Sequence, residues 1–432
     1  MTETPTTEAR GPDAPPPDTT APAPTAFTPE KREPPWLGLV VLPAILFGLY
    51  RYAGWKGVVI GLAIVLIIVL HELGHYTAAR LGGMRVTEFF VGFGPRLWSI
   101  KRGETEYGVK ALWLGGYVKI PGMTRMEEID PADEARTYRQ ATFPRRFAVA
   151  VAGSTVHFVL CLLLLYPVLA LHGIDRDETQ WTVGAVQAGT PAAAAGIEPG
   201  DDVVSVDGVA VPSFFDLAPL FAGRAGDEVL VEVLRADGTT VTLPVTLGVN
   251  PETGAGFLGV GPTFPTIKPG PIGAIGDTFE LFGTGAEETV LAIPRVFSFD
   301  SIRNLFNETR DDDTATSGDD AAADDGERPV SIVGVIDVGA QLFDEGLAAV
   351  ALFLVSINLF FGVFNLLPIL PFDGGHVVIA CYERVREALR GSKERYFADV
   401  TKMLPIAYTI VMVLLMVSLL AVYVDVTEGV NI

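Results

Sequence analysis

In the stretch IIVLHELGHYTAAR, residues 67–80, His71 and His75 stand four residues apart and Glu72 directly follows the first of them. On a helix, positions i and i+4 share a face, so both imidazoles project toward one point, with Glu72 beside them as a general base. Zinc suits such a pair. It takes neutral imidazole nitrogens in a tetrahedral shell, leaves a position for water, and brings the pKa of that water to about 7. In a soluble chain the five-residue pattern alone is weak, since histidines and glutamates decorate ordinary helices. Here it follows a long apolar run, where a charged residue costs roughly 2.5–3.5 kcal/mol on insertion scales and persists mostly for function.

Two histidines leave a tetrahedral site one protein ligand short. The next ionisable group in an apolar setting is Asp373, in FNLLPILPFDGGH. Pro368 and Pro371 interrupt the helix there, and Gly374-Gly375 lets the backbone bend close to an ion. The bland alternative makes Asp373 the N-cap of a following helix. His376 is either a further ligand or a hydrogen-bond donor behind the ligands. His157, within another apolar run, faces the same choice, and a hydrogen bond between packed helices is its favoured role. Cys161 and Cys381 are the only cysteines and both lie in or beside apolar stretches, so no disulfide framework or cysteine-based zinc site is available.

The elements that must position these groups are membrane spans. Hydrophobic residues make up 49% of the 432, gathered into blocks near the 20 or so residues that cross a bilayer. The blocks are 36–52, about 57–79, 147–171, a run from near Leu347 into the aspartate motif, and about 403–424. The first is short and carries Pro43; it either spans or lies in the interface, and spanning is favoured. Lys31, Arg32, Arg80, Arg85, Arg145, Arg146 and the basic cluster 384–395 can all be cytoplasmic if five spans alternate. That places 172–345 and the C-terminal residues outside. A net charge of −21 argues against a surface for nucleic acid. Residues 1–35 are Pro/Thr-rich without an apolar core and read as a disordered tail, not a signal peptide. Residues 311–328, with eight acidic side chains, read as the centre of a solvated acidic loop spanning 300–330.

Between the spans, residues 85–122 alternate apolar and polar positions among glycines, which predicts short strands and turns shielded within the protein, because open strand edges are not tolerated in lipid. Residues 181–262 predict a soluble module: a short helix ending at Gly196, a turn at Pro199-Gly200-Asp201, a hairpin at Asp207-Gly208, and further strands.

Taken together, HELGH in an early span, FVGFG and GGYVKIPGM after it, one inserted module and NLLPILPFDGGH in a late span resemble the site-2 protease family of intramembrane zinc metalloproteases. The likeness runs from about residue 56 to 424 and is nearest the actinobacterial branch that regulates anti-sigma-factor turnover. It implies a four-helix metalloprotease core with one extra N-terminal helix at 36–53. The core would come in two parts, 56–172 and 345–424, with a membrane-associated β-region at 85–122 and a PDZ-like domain at 181–262 outside the membrane. It implies one zinc ion held by His71, His75 and Asp373, with Glu72 as catalytic base. Asn365 would position the substrate, and Gly116, Tyr117 and Val118 would hold it as an added strand. GFLGV resembles the PDZ carboxylate loop, so Gly256, Phe257, Leu258 and Gly259 are candidates for binding a chain end; the alternative is a size filter. The expected substrate is a single-span protein of the plasma membrane such as an anti-sigma factor, first trimmed by a site-1-type protease. Three features depart from the pattern: Leu370 stands where many members have proline, Gly153-Ser154 and His157 replace a Gly-Pro and an asparagine, and the N-terminal segment is additional. The rival reading is a metal-binding scaffold or transporter. It predicts polar residues spread along several spans, whereas here they gather at two motifs.

Overall fold

The computed structural model describes residues 36–123, 127, 129–175, 181–250, 254–264, 266–308, 329–390 and 395–427. The predicted tail 1–35 and the acidic stretch 311–328 lie outside them. Helix α1 (Trp36–Leu81) has 46 residues, about 69 Å if straight and more than twice a hydrocarbon core of roughly 30 Å. It is not straight. Gly54, at φ 65° and ψ −165°, leaves helical space through a conformation that glycine adopts freely. A Cβ on Gly61 would sit 2.7 Å from Leu49 Cδ2, so the arms 36–53 and 55–81 fold back on one another. The two segments read from sequence are therefore arms of one hairpin, and the residues between them, 53–56, are helical on both sides of Gly54. Trp55 packs against Phe343 with ring centroids 5.5 Å apart, and Lys56 Nζ donates to Asp344 Oδ1 at 2.6 Å, which pins the bend to a later part of the chain.

Strands β1 (Glu88–Arg102) and β2 (Thr105–Lys119) are longer than the short strands expected. Gly92 and Gly94, at φ 87° and 81°, bend β1, and a Cβ on Gly92 would lie 2.7 Å from the Leu112 carbonyl. In consequence residues 88–91 pair with both 106–109 and 116–119, while 96–102 pair with 105–110. Residues 116–119 therefore form an edge of this curled sheet.

Helix α2 (Phe143–Leu171) opens with Pro144 in its first turn, where the missing N–H costs nothing. The chain then enters the 181–262 unit through β3 (Ile174–Asp175) and leaves it through β12 (Thr266–Ile267), which pair side by side. Between them, β4 (Thr182–Val186) pairs with β11 (Val260–Thr263), and β9 (Gly248–Val249) with β10 (Gly256–Phe257). A four-stranded sheet runs β6 (Val209–Ala210), β5 (Asp202–Val206), β7 (Glu228–Leu234), β8 (Thr240–Thr246). Along β7 the burial alternates, with Val229, Val231 and Val233 inward, the period-two pattern of a half-buried strand. Short helices α3 (Pro191–Ala195) and α4 (Leu217–Phe221) close the unit's own apolar core around Trp181, Val203 and Phe221.

Helices α5 (Gly270–Val296) and α6 (Phe299–Glu308) were not legible as elements, and α6 occupies the start of the predicted 300–330 loop. Glycines and glutamates dilute the apolar pattern of α5, yet it buries Ala274 against Cys161 and Leu165 of α2. The last helices are α7 (Ile332–Gln341), α8 (Leu347–Phe364), α9 (Asp373–Arg390) and α10 (Leu404–Thr427). Four helical runs among the described residues are long and apolar enough to cross a membrane: Val40–Leu81, Phe143–Leu171, Leu347–Phe364 and Val400–Thr427. Their outward faces carry bare apolar side chains such as Leu163 and Met412, appropriate to a lipid surround. Buried Arg146 of α2 pairs with buried Glu383 of α9, whose second oxygen accepts from Ala398 N at 2.7 Å. That pair fixes α9, and with it Asp373, against α2.

Candidate metal centre

The helical arm 55–81 presents His71 and His75 one turn apart, and the start of α9 brings Asp373 to them. His75 Nε2 lies 3.2 Å from His71 Nε2 and 3.1 Å from Asp373 Oδ2, and His71 Nε2 lies 3.5 Å from the same carboxylate oxygen. Ligand atoms about 2 Å from a tetrahedral zinc ion stand about 3.3 Å from one another, so the spacing fits one ion. Among the described residues this is the one cluster of its kind. The donor chemistry fits as well. His75 Nδ1–H donates to the Val149 carbonyl at 2.8 Å, which leaves the lone pair on Nε2, facing the other two donors.

Two glycines make room for the cluster. A Cβ on Gly153 of α2 would run into both imidazoles, and one on Gly116 of β2 would come 2.8 Å from Glu72 Cγ. The first lets α2 back the two imidazoles, and the second lets the sheet edge approach the candidate base. Helix α8 ends at Asn365, whose carbonyl accepts from Gly374 N at 2.7 Å. A side chain on Gly374 would collide with the Leu366 and Leu367 carbonyls, so the Gly-Gly step is what folds the proline loop back and starts α9 beside the histidines.

A cavity of about 300 Å³ collects His71, Glu72, His75, Asp373 and His376 with Gly116, Tyr117, Val118 and Asn365. Glu72 is itself buried. Every residue expected at the catalytic end of the molecule therefore lines one space. The four residues expected to bind a chain end lie in the separate unit. Gly256 and Phe257 form β10, Leu258 is buried in that unit's core, and Gly259, at φ 87°, fits against Thr190, where a Cβ would not.

A model of peptidase family M50 matches residues 59–412. The chain belongs to peptidase family M50. It is thus a site-2-type metalloprotease by family, as its motifs suggested. Among the similar proteins are zinc metalloprotease Rip1 of Mycobacterium bovis, 35% identical over 402 residues, and Rip1 of Mycobacterium tuberculosis, 34% identical over 416. Rip1 of Mycolicibacterium smegmatis is 32% identical over 417 residues. Each alignment covers 87% of this chain and 98% of the relative.

Around the M50 centre, two features escaped the sequence. Asn358 of α8 is fully buried, its Oδ1 3.0 Å from His157 Nδ1 and its Nδ2 donating to the Leu354 carbonyl at 2.8 Å. His157 thus makes the bond between helices expected of it, and its ring centroid lies 4.9 Å from that of His71, the two planes tilted by 43°. The signal for Asn358 was an amide within an otherwise apolar span. The second feature is the buried Arg146–Glu383 pair, hidden because its halves lie 237 residues apart. Beyond the cavity, Arg80 at the end of α1 and Arg136 both donate to Glu104, in the turn between β1 and β2, at 3.0 and 2.5 Å. Hydrogen bonds from Arg136, then from Arg80, hold the Glu104 carboxyl at about 2, below its ordinary 4.5.

Proposed function

We propose that this chain is an intramembrane zinc metalloendopeptidase that hydrolyses peptide bonds within the transmembrane segment of single-span membrane proteins. The observation that carries the reading is the closure of His71, His75 and Asp373 to within 3.5 Å of one another, between apolar helices, in the same cavity as Glu72 and a sheet edge. His71, His75 and Asp373 would hold the ion. Zinc, when bound, supplies a Lewis acid that polarises the scissile carbonyl and acidifies water. Glu72 takes the proton of the attacking water and delivers it to the leaving amide nitrogen. Asn365, beside them, orients the substrate backbone.

A membrane helix hides its carbonyls in internal hydrogen bonds, so the substrate must unwind before it is cut, and each group left unpaired in lipid costs several kcal/mol. Gly116, Tyr117 and Val118 on the edge 116–119 offer replacement backbone partners to an extended segment. The absence of a side chain at Gly116 brings that segment beside Glu72. Hydrogen bonds from Tyr117 Oη at 2.7 Å and Lys119 Nζ at 3.2 Å to Glu88 brace the edge from behind.

The basic residues flanking the spans favour a plasma-membrane topology with the 181–262 unit outside. There a PDZ-like groove near Gly256–Gly259 would receive a substrate already trimmed by a site-1-type protease, and the family likeness favours an anti-sigma factor as that substrate. Reporter fusions at residues 35, 210 and 427 test the orientation. Comparing full-length and pre-trimmed substrates, with and without 181–262, separates a chain-end binder from a size filter. The central experiment is Glu72→Gln in native membranes. It should retain one zinc per chain, lose at least about a thousandfold in cleavage rate, and trap single-span proteins; persistent cleavage would falsify the assignment.

A further inference from the structure

A second cavity, of about 320 Å³, opens between the two arms of α1, residues 111–113 of β2, and α7. Leu49 lines it from the first arm, Gly61 and Val65 from the second, Ala111 from β2 and Ile336 from α7. Trp113 also contributes its ring, and its indole N–H already donates to the Lys110 carbonyl at 2.9 Å. Among the described residues, no charged side chain lines this space.

Both elements that run past the metal donors continue into this cavity. Val65 and Glu72 are seven residues apart on α1, two turns along one face, or about 10 Å on the axis. On β2, Ala111 precedes Gly116 by five residues, and Gly116 is the position that touches Glu72. Between Leu112 and Gly116 four residues of β2 pass only two of β1, Phe93 and Val91, so β2 is bulged there, and an extended substrate advancing about 3.3 Å per residue covers the roughly 10 Å along α1 in about three residues. We propose that the cavity is a specificity pocket that receives a large apolar side chain of the membrane substrate, about three residues from the scissile bond. The proposal rests on the proteolytic reading above.

The family match begins at residue 59, so the wall supplied by the first arm stands outside it. Selectivity here is laid over the shared chemistry. It works by shape. A side chain leaving lipid gains nothing from leaving water, and only close contact with the walls can favour it over another of equal polarity.

The test uses the full-length zinc-loaded protein in lipid nanodiscs and a single-span substrate in which one phenylalanine is moved stepwise through an alanine/leucine segment, with kcat/KM read at each position. Wild type should peak about three residues from the cleaved bond, by about tenfold. Ala111→Phe, which fills the pocket, should flatten the peak and leave the phenylalanine-free substrate unchanged. Leu49→Ala, which enlarges the pocket, should move the preference toward tryptophan and keeps the test valid if Ala111→Phe folds poorly. A flat wild-type profile, or a peak unmoved by both variants, overturns the proposal. A lipid lost from Ala111→Phe in native mass spectrometry without any change in the profile overturns it too, since the occupant is then a lipid. If wild type cuts none of the substrates while retaining zinc, the proteolytic reading falls and the pocket with it.

Discussion

The two cavities on the second arm of α1 are nearly equal in size, about 300 and 320 Å³, and share the same helix and the same strand, yet they are built in opposite ways. The polar one is specified by residue identity. It needs two imidazoles and a carboxylate at one point, and glycines at 116 and 153 because nothing larger fits. The apolar one is specified mainly by shape: its leucine, isoleucine and valine walls could be exchanged for other aliphatic residues at small cost, with Gly61, where a Cβ would lie 2.7 Å from Leu49 Cδ2, the exception. Chemistry tolerates no exchange of donors, while recognition of an apolar side chain tolerates drift in its walls. If the apolar cavity is the specificity pocket proposed, a protease assembled this way could change what it cuts without touching how it cuts.

The sharpest way to break that contrast is to remove a donor. Asp373→Ala should lose zinc to mild chelator, measured by metal analysis after dialysis, and lose more than about a hundredfold in cleavage, because two protein ligands do not hold a catalytic zinc ion. Zinc retained at one per chain would mean that a different third ligand closes the site. A smaller effect is expected behind the donors. Gly153→Val pushes against both histidines and should weaken zinc binding by about ten- to a hundredfold, while Ile336→Val in the other cavity should leave zinc affinity unchanged. Equal zinc loss from both would abolish the distinction between the cavities.

The smallest effect is expected where neither cavity is touched. Glu104, held at about 2 by Arg136 and Arg80 against an ordinary 4.5, has a folded pKa below its unfolded one. Its pairing therefore stabilises fully above about pH 4.5 and is lost as the pH falls toward 2. Glu104→Gln should lower Tm slightly at pH 7, as expected for an exposed pair, and the difference from wild type should shrink between pH 4.5 and 2 while zinc content at pH 7 stays unchanged. A difference that stays constant across that window would assign the effect to something other than this carboxylate.

The same contrast explains what could be read from sequence. His71, Glu72, His75 and Asp373 were legible because ionisable groups are rare in spans and their spacing has a geometric meaning. Gly116 to Val118 came only through the family resemblance of GGYVKIPGM, since the glycine pattern by itself predicted no more than strands and turns over 85–122. The apolar cavity was not, because a leucine that lines a pocket and a leucine that faces lipid are the same letter. The hairpin in α1 was half legible. Two apolar segments were evident, but a break of one residue at Gly54 leaves no loop to find. Helix α5 was missed because burial of a single stripe against α2 and α8 does not need the dense hydropathy by which spans are recognised.

The distance along the chain between the halves of the donor set has a consequence in time. His75 and Asp373 are 298 residues apart, and a ribosome adding 5–20 residues per second takes about 15–60 seconds to cover that gap. Throughout that interval the nascent chain carries two histidines and a base without their carboxylate. On the proposed assignment of ligands and base, the growing protein would be inert toward its neighbours in the membrane and become competent only when its late helices arrive and dock against the early ones.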